Sequence, residues 1–157
     1  MSVVLVLALA GCMPALGSIP SPKITRVEVY KAKRELVLLS YGFPIRRYSV
    51  DLGGNPVGHK QQEGDERTPE GQYHITHLNP KSAYTLSLGL NYPNAQDLAR
   101  ARSAGVDPGG EIFIHGMPNG YRVAVKDWTN GCIAVSNDAI KEIASLVPIG
   151  TPVVIYP

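Results

Sequence analysis

Cysteine is scarce in this chain, since Cys12 and Cys132 are the two found among its 157 residues. If Cys12 is removed with a leader or carries a lipid, one unpaired thiol remains in the rest of the protein. An unpaired cysteine in an oxidising compartment is typical of a thiol with a chemical role. The alternative is a disulfide between Cys12 and Cys132, which the position of Cys12 in a signal-like segment disfavours.

Clustered positive charge is also absent. The chain has 15 Lys and Arg against 13 Asp and Glu, a net charge of +2, spread along its length. Proteins that bind nucleic acid usually carry a basic stripe, so nucleic acid is not an expected partner. No metal or other cofactor is predicted. The four histidines are not spaced as the ligands of a metal site, and they are His59, His74, His77 and His115.

Long hydrophobic runs are missing as well, and the longest covers residues 3–10. A membrane-spanning helix needs about twenty apolar residues, whereas a shorter run suffices for the core of an export signal. The run ends in Leu9-Ala10-Gly11-Cys12, which resembles the lipobox of bacterial lipoproteins, although no Lys or Arg precedes it. We therefore expect residues 1–22 to be a signal-like or lipoprotein-like leader and linker. The domain that follows is expected in the bacterial periplasm or cell envelope, with membrane contact only through a lipid on Cys12.

One mostly β domain is predicted for residues 23–157. The chain is long enough for a single hydrophobic core, and short apolar segments alternate with turn residues. Strands are predicted at 27–30, 36–39, 47–52, 73–77, 84–88, 111–114, 121–125 and 152–156. Two short helices are predicted, one capped by Asn94 and ended by Gly105, the other following Ser136 with apolar residues at helical spacing.

A thiol and an imidazole lie near each other in the sequence, at Cys132 and His115. A cysteine with its ordinary pKa of about 8.5 is mostly protonated at neutral pH, so a nucleophilic cysteine needs a neighbouring base. The sixteen residues 116–131 suffice for a turn and a returning strand between the two. Gly131 allows the bend that an oxyanion hole of backbone N–H groups requires. The alternative is a buried, inert Cys132 and an ordinary strand-end His115.

Four motifs in a fixed order resemble the L,D-transpeptidase catalytic domain, or YkuD domain, of bacterial cell-wall enzymes. They are EGDERTPEGQY at 63–73, LNYPN at 90–94, IHG at 114–116 and DWTNGCIAV at 127–135. The resemblance covers nearly everything after the leader. It implies a mostly β, sandwich-like fold with two short helices and a function in peptidoglycan biosynthesis, cell wall organisation and cell shape.

The resemblance also implies roles for individual residues. Cys132 would attack the L,D amide of a peptidoglycan stem tetrapeptide and form a thioester, His115 would take the thiol proton, and the Gly116 carbonyl would orient the imidazole. The implied oxyanion and substrate-binding residues are Thr129, Asn130, Gly131 and Tyr92. The thioester would pass to an amine, which gives a cross-link or attaches an envelope protein. With water as acceptor the same domain would be an L,D-carboxypeptidase or hydrolase, and a non-catalytic wall-binding domain is the remaining alternative.

Two positions depart from the commonest pattern of this family. Asn130 stands where many members have His, and it can still donate and accept hydrogen bonds. Ala134 stands where many members have Arg, so recognition of a substrate carboxylate would fall to another cation. The candidates in the sequence are Arg67, Arg122 and Lys126.

Three features near the motifs have structural explanations of their own. Residues 68–71 place Pro and Gly as a tight turn requires, which favours a turn over substrate contact. Trp128 either stacks on the substrate or fills the core beneath its loop. Asp127 is left out of the predicted site, because in the family a backbone carbonyl holds the imidazole.

Overall fold

The computed structural model describes residues 21–157. The apolar run and Cys12 of the predicted leader therefore lie outside the described residues, and of its linker only Ser21 and Pro22 are described, both exposed. Within residues 21–157, the helices are too short or too polar to cross a bilayer.

The described residues form strands and two helices in one domain. The strands are β1 (Arg26–Tyr30), β2 (Glu35–Ser40), β3 (Phe43–Ser49), β4 (Gly71–Asn79), β5 (Ser87–Leu90), β6 (Phe113–His115), β7 (Ile133–Ala134) and β8 (Pro152–Tyr156). The helices are α1 (Ala95–Ala104), between β5 and β6, and α2 (Asn137–Leu146), between β7 and β8. The strands join in the order β3-β2-β1-β8-β4-β5-β6-β7. The predicted mostly β fold with two short helices is confirmed.

Strand β4 connects the two halves of this sheet. Its residues 71–74 pair antiparallel with β8, and its residues from Ile75 onward pair antiparallel with β5. The register shifts between Ile75 and His77. Such an irregularity bends a strand, so the sheet curls at β4 and its two halves enclose a common core. That core includes Val27, Leu36, Leu88 and Ile114.

Both helices begin at the capping residues that the sequence predicts. The Asn94 side chain accepts hydrogen bonds from the amides of Gln96 and Asp97, and the Asp97 carboxylate accepts from the Asn94 amide. Gly105 ends α1 in the left-handed conformation, with φ of 68°. Ser136 caps α2, whose buried Ile140 and Ile143 face the core. Local hydrogen bonding thus determines where each helix starts.

One predicted strand is wrong, and three have shifted boundaries. Residues 121–125 alternate apolar and polar side chains but form an irregular loop, with Tyr121 and Val125 exposed by 72% and 66%. Within residues 21–157, no strand pairs with this segment, so its apolar side chains have no sheet face to pack against. The strands predicted at 47–52, 84–88 and 111–114 correspond to β3 (Phe43–Ser49), β5 (Ser87–Leu90) and β6 (Phe113–His115).

A buried lysine holds the Thr68–Gly71 motif, the segment that leads into β4. Lys31 is 2% exposed, and its Nζ donates to Gly58 O at 2.6 Å, Thr68 O at 2.9 Å and Glu70 Oε1 at 2.8 Å. The Thr68 hydroxyl accepts from the Gly53 amide at 3.1 Å. None of these groups lines the candidate active-site cleft described below. The expected turn is not found, because residues 68–70 have no turn and Gly71 begins β4, but these contacts give the motif a structural role.

We expect Lys31→Met to lower the free energy of unfolding by about 3–5 kcal/mol, because removing one member of a buried ion pair leaves its partner uncompensated. Two carbonyls would also lose their donor. Urea unfolding measures the effect, and Lys33→Met, at an exposed lysine of the turn between β1 and β2, serves as the control. If Lys31→Met lowers the free energy of unfolding no more than the control does, the buried contacts of Lys31 do not stabilise the fold.

Candidate active site

A cleft of about 720 Å³ opens beside the last residue of β6 and the first of β7. Its walls come from residues 60–66, 79–87, 109–115 and 128–132. Cys132 and His115 both line this cleft, together with Thr129 and Asn130. The predicted thiol and imidazole therefore meet in one cavity.

The parallel pairing of β6 and β7 brings the two groups together. Ile114 lies opposite Ile133 and His115 opposite Ala134, so Cys132 directly precedes the paired residues. The Cys132 thiol is unpaired within residues 21–157, and Sγ is 3.4 Å from the Glu111 carbonyl oxygen. His115 is only 4% exposed. Two short parallel strands thus place the pair, although residues 116–132 separate them along the chain.

The backbone of Gly116 determines the tautomer of His115. His115 Nδ1 lies 2.7 Å from Gly116 O, and a carbonyl oxygen only accepts, so Nδ1 carries the proton. Nε2 is then left with a lone pair and is able to accept a proton. A side chain at position 116 would bring its Cβ within 2.8 Å of Asn137 Oδ1 and 2.9 Å of Ile140 Cγ2. Glycine therefore permits the tight packing of this orienting carbonyl.

Burial keeps both groups neutral. It lowers the pKa of His115 below its usual value of 6.5, and the hydrogen bond to Gly116 offsets this only partly. Burial also raises the pKa of the Cys132 thiol above 9.0, against opposing contributions from the Phe113 amide and the Lys60 charge. Desolvation disfavours the charged form of each group. Both shifts favour a neutral thiol and a neutral imidazole over a thiolate and an imidazolium.

Thr129 shapes the loop that precedes the thiol. Its Oγ1 donates to Cys132 O at 2.7 Å and accepts from the Gly131 amide at 3.2 Å. Gly131 has φ of 124°, and a Cβ there would lie 2.6 Å from Arg67 O, so only glycine fits. The Gly131 amide is therefore occupied, whereas among residues 21–157 no backbone or side-chain acceptor binds the Cys132 amide outside the strand ladder. Because Thr129 holds the Gly131 amide, the Cys132 amide is the candidate donor for an oxyanion.

An aromatic wall surrounds the imidazole. The Tyr84 ring centroid is 4.5 Å from that of His115, and the Trp128 centroid is 5.6 Å from it. Both aromatic side chains also line the cleft, and Trp128 Nε1 is buried without a hydrogen-bond partner in the described chain. Trp128 therefore contacts the base and the cavity at once. Sequence reasoning identified Tyr84 only as a strand residue, because its approach to His115 depends on the pairing of β5 with β6.

Asp127 is turned away from the imidazole. Its carboxylate accepts from Arg34 Nε at 2.9 Å, from Arg34 Nη2 at 2.7 Å and from the Leu52 amide at 3.0 Å. Burial would raise the pKa of Asp127, but the hydrogen bonds from Arg34 and Leu52 lower it overall. This ion pair joins the turn between β1 and β2 to the loop that leads to Cys132. Leaving Asp127 out of the site agrees with its contacts.

Tyr92 does not reach the cleft, contrary to its predicted role in substrate binding. It is 6% exposed, belongs to the hydrophobic core and packs against Tyr73 with ring centroids 6.1 Å apart. Its hydroxyl donates to Pro108 O at 2.9 Å. Tyr92 lies in a family motif, but the large apolar ring is buried and its polar end is satisfied internally.

The cation of the cleft is one that sequence reasoning missed. Arg67, Arg122 and Lys126 do not line the cleft, but Lys60 does. Lys60 is 3% exposed and donates to Gln62 O at 3.1 Å and to Asp65 Oδ1 at 2.9 Å. Nothing in the local sequence distinguishes it from a surface lysine, because the loop that carries it meets Cys132 only in the folded chain.

The partner of Lys60 stabilises the 61–67 turn. Asp65 accepts from the Gln61 amide at 2.7 Å, from the Gln62 amide at 3.2 Å and from the Arg67 amide at 3.1 Å. Burial would raise the pKa of Asp65, but the bonds from these amides and from Lys60 lower it to about 2, from 3.8. A carboxyl whose pKa is lowered by folding stabilises the protein above its unfolded pKa and loses this effect as the pH falls.

We expect Asp65→Asn to cost about 2 kcal/mol of unfolding free energy at neutral pH. The difference between the variant and the unchanged protein should shrink as the pH falls from 4 towards 2. Urea unfolding at pH 7, 4 and 3 measures it, and Asp138→Asn, at an exposed carboxyl, is the control. A difference that stays constant over this pH range would contradict the role given to the Asp65 charge.

Comparison with known proteins agrees with this geometry. The family model of the L,D-transpeptidase catalytic domain, YkuD, matches residues 24–155. YafK of Escherichia coli K12, an L,D-transpeptidase by name, is 31% identical over 133 residues, which cover 77% of this chain and 46% of YafK. YqjB of Bacillus subtilis 168, also an L,D-transpeptidase by name, is 29% identical over 144 residues, covering 89% of this chain and 76% of YqjB.

Solved structures give the same result. The helical cell shape determining protein Pgp2 of Campylobacter jejuni, as its K307A mutant, superposes with a TM-score of 0.69 at 28% identity, covering 85% of this chain and 47% of Pgp2. Bd1075 of Bdellovibrio bacteriovorus superposes with a TM-score of 0.61 at 28% identity, covering 87% and 48%. The chain spans less than half the length of YafK, Pgp2 and Bd1075. Since the family model matches nearly all the described residues, the chain belongs to the family of L,D-transpeptidase catalytic domains.

Proposed function

We propose that this domain is a peptidoglycan L,D-transpeptidase with Cys132 as its nucleophile and His115 as its base. One observation carries the proposal: the Gly116 carbonyl holds the proton of His115 on Nδ1, which leaves Nε2 as a proton acceptor in the cleft that the Cys132 thiol lines. Family membership supplies the substrate class, peptidoglycan stem peptides. No cofactor takes part in the proposed reaction.

The neutral resting pair dictates how the reaction starts. The thiol loses its proton to His115 Nε2 as Sγ attacks the carbonyl between the third and fourth residues of the stem. The carbon–nitrogen bond then breaks, and the imidazolium returns the proton to the amine of the departing fourth residue. A thioester remains between Cys132 and the third residue. The barrier thus includes the proton transfer, because burial raises the pKa of the thiol.

The second half of the reaction regenerates the thiol. An amine acceptor loses a proton to His115 and attacks the thioester, so that an amide forms and the sulfur leaves as the thiol. The acceptor is either the side-chain amine of a second stem, which gives a cross-link, or the amine of an envelope protein. When water takes the place of the amine, the same intermediate yields L,D-carboxypeptidase or hydrolase activity.

The developing oxyanion needs a donor close to Sγ. The Cys132 amide supplies it, since Thr129 already holds the Gly131 amide. Removing one such donor typically costs about 2.7–4 kcal/mol of activation free energy. Exposed Asn130 adds an amide side chain to the rim of the cleft. In the proposed site, Thr129 and Gly131 shape the loop before Cys132, and Asn130 offers its amide side chain to the substrate.

The same proposal gives the domain its place in the cell. Its action on stem peptides places residues 23–157 in the periplasm or cell envelope, with residues 1–22 as export leader and Cys12 as the position of a lipid anchor. Pgp2, a helical cell shape determining protein, shares this fold at 28% identity. We therefore assign the domain to cell wall organisation and cell shape.

Mass spectrometry of products tests the proposed function. The full chain is incubated with muropeptides that carry tetrapeptide stems, with and without an added D-amino acid or amine. Dimers, or exchange of the fourth residue, are expected, and release of tripeptide alone at every acceptor concentration would instead establish hydrolysis. Absence of all three products contradicts the proposal. Cys12→Ser, which keeps Cys132 as its only thiol, is the matched control and should remain active.

A further inference from the structure

The ammonium group of Lys60 keeps a donor free in the candidate active site. A lysine has three N–H donors, and two of them bind Gln62 O and Asp65 Oδ1. The third has no acceptor among residues 21–157. Because Lys60 also lines the cleft, this donor is available to a bound substrate.

The ion pair with Asp65 does not consume the charge of Lys60. Asp65 is already bound by three backbone amides, those of Gln61, Gln62 and Arg67. These amides stabilise its carboxylate independently of the lysine. Asp65 therefore fixes where Lys60 stands and leaves part of its positive charge for another anion.

Lys60 is the one Lys or Arg that lines the cleft in the described part of the chain. The remaining charged side chains of the cleft wall are three exposed glutamates, Glu63, Glu66 and Glu111. They would repel an anionic group everywhere except beside the ammonium. A carboxylate entering the cleft thus has a single favourable position.

The position of Lys60 also matches the reacting bond. Lys60 and Cys132 line the same cleft, and the lysine charge lowers the pKa of the Cys132 thiol, opposing the effect of burial. In a stem that ends at its fourth residue, the terminal carboxylate is separated from the scissile nitrogen by one Cα. A cation near Sγ can therefore reach that carboxylate while the carbonyl lies at the thiol.

We propose that Lys60 binds the terminal carboxylate of the stem residue that departs when Cys132 is acylated. This inference rests on the proposed function. It assigns to Lys60 the carboxylate recognition that Ala134, which stands where many family members have Arg, does not provide. A neutral group at the same position of the substrate would leave the Lys60 donor unsatisfied. Selectivity for stems with a free terminal carboxylate follows.

Two donor peptides test the inference, a tetrapeptide stem with a free terminal carboxylate and the same stem with a terminal carboxamide. For the full chain we expect kcat/KM to be about ten- to hundredfold higher with the carboxylate, the range for a hydrogen bond to a charged group. Lys60→Gln should lose this preference by slowing the carboxylate donor alone. Lys60→Arg, which keeps the charge, and Lys126→Gln, at an exposed lysine away from the cleft, should both retain it.

A purely structural Lys60 gives a different pattern. Lys60→Gln would then slow both donors by the same factor, which overturns the inference and leaves the proposed function intact. Equal rates with the two donors in the unchanged protein overturn it as well, even where the Gln variant fails to fold. No turnover of either donor by the unchanged protein contradicts the proposed function itself.

Discussion

Replacing Cys132 with alanine is expected to lower turnover of tetrapeptide stems by at least about 10⁴-fold, which is effectively a complete loss. The hydroxyl of the neighbouring Thr129 is engaged by Cys132 O and the Gly131 amide. Product formation followed by mass spectrometry measures the loss, and thermal unfolding checks that the variant is folded.

The Cys12→Ser control separates the two thiols, since it should keep the activity that Cys132→Ala loses. Activity in Cys132→Ala comparable with that of the unchanged protein would contradict nucleophilic catalysis and favour a non-catalytic wall-binding domain. Alkylation by iodoacetamide is a poorer test than turnover. Because burial raises the pKa of the thiol, slow alkylation is expected whether or not Cys132 is catalytic.

Replacing His115 with alanine is expected to reduce kcat/KM by about 10²- to 10⁴-fold, the usual contribution of a general base. Nε2 is the proton acceptor that the Gly116 carbonyl leaves available. With the thiol held neutral by burial, loss of this acceptor leaves proton removal to water or hydroxide. The variant should nevertheless bind the stem peptide, so that the effect falls on kcat more than on KM.

The pH profile identifies this role independently of the rate. Burial lowers the pKa of His115 below 6.5, so the imidazole is still a base at pH 6.5, and kcat/KM should fall only at lower pH. In His115→Ala this acid limb should disappear, and the residual rate should rise with pH as the thiol ionises. His74→Ala, at an exposed histidine, should keep the unchanged profile. An identical acid limb in His115→Ala would assign it to another group.

The features that the sequence predicts well depend on local interactions. The β1–β2 hairpin, the capped helices and β8 follow from patterns within about ten residues, and each is found where expected. The approach of His115 to Cys132 was expected from a turn and a returning strand, but the structure achieves it with the parallel pair β6–β7, and β7 was not predicted. Residues 121–125 fail because alternation alone does not supply a neighbouring strand.

The remaining parts of the site depend on contacts between distant segments. Lys60 and Tyr84 enter the cleft from separate loops, and their positions depend on how the sheet curls at β4. Tyr92 shows the opposite error, since a residue inside a family motif turns out to support the core. Motifs indicate which segments gather around the thiol, but the direction of each side chain is decided by packing.

Strand β8 has a consequence for the order in which this chain is able to fold during its synthesis. It lies between β1 and β4, parallel to the first and antiparallel to the second, and it consists of residues 152–156. Until the ribosome has released these residues, no strand links the hairpin β1–β2 to β4. The nascent chain therefore completes this sheet, and with it the cleft, only after residues 152–156 have been released. A chain that stops before residue 152 would contain every residue of the proposed site and still lack the strand that joins it to the hairpin β1–β2.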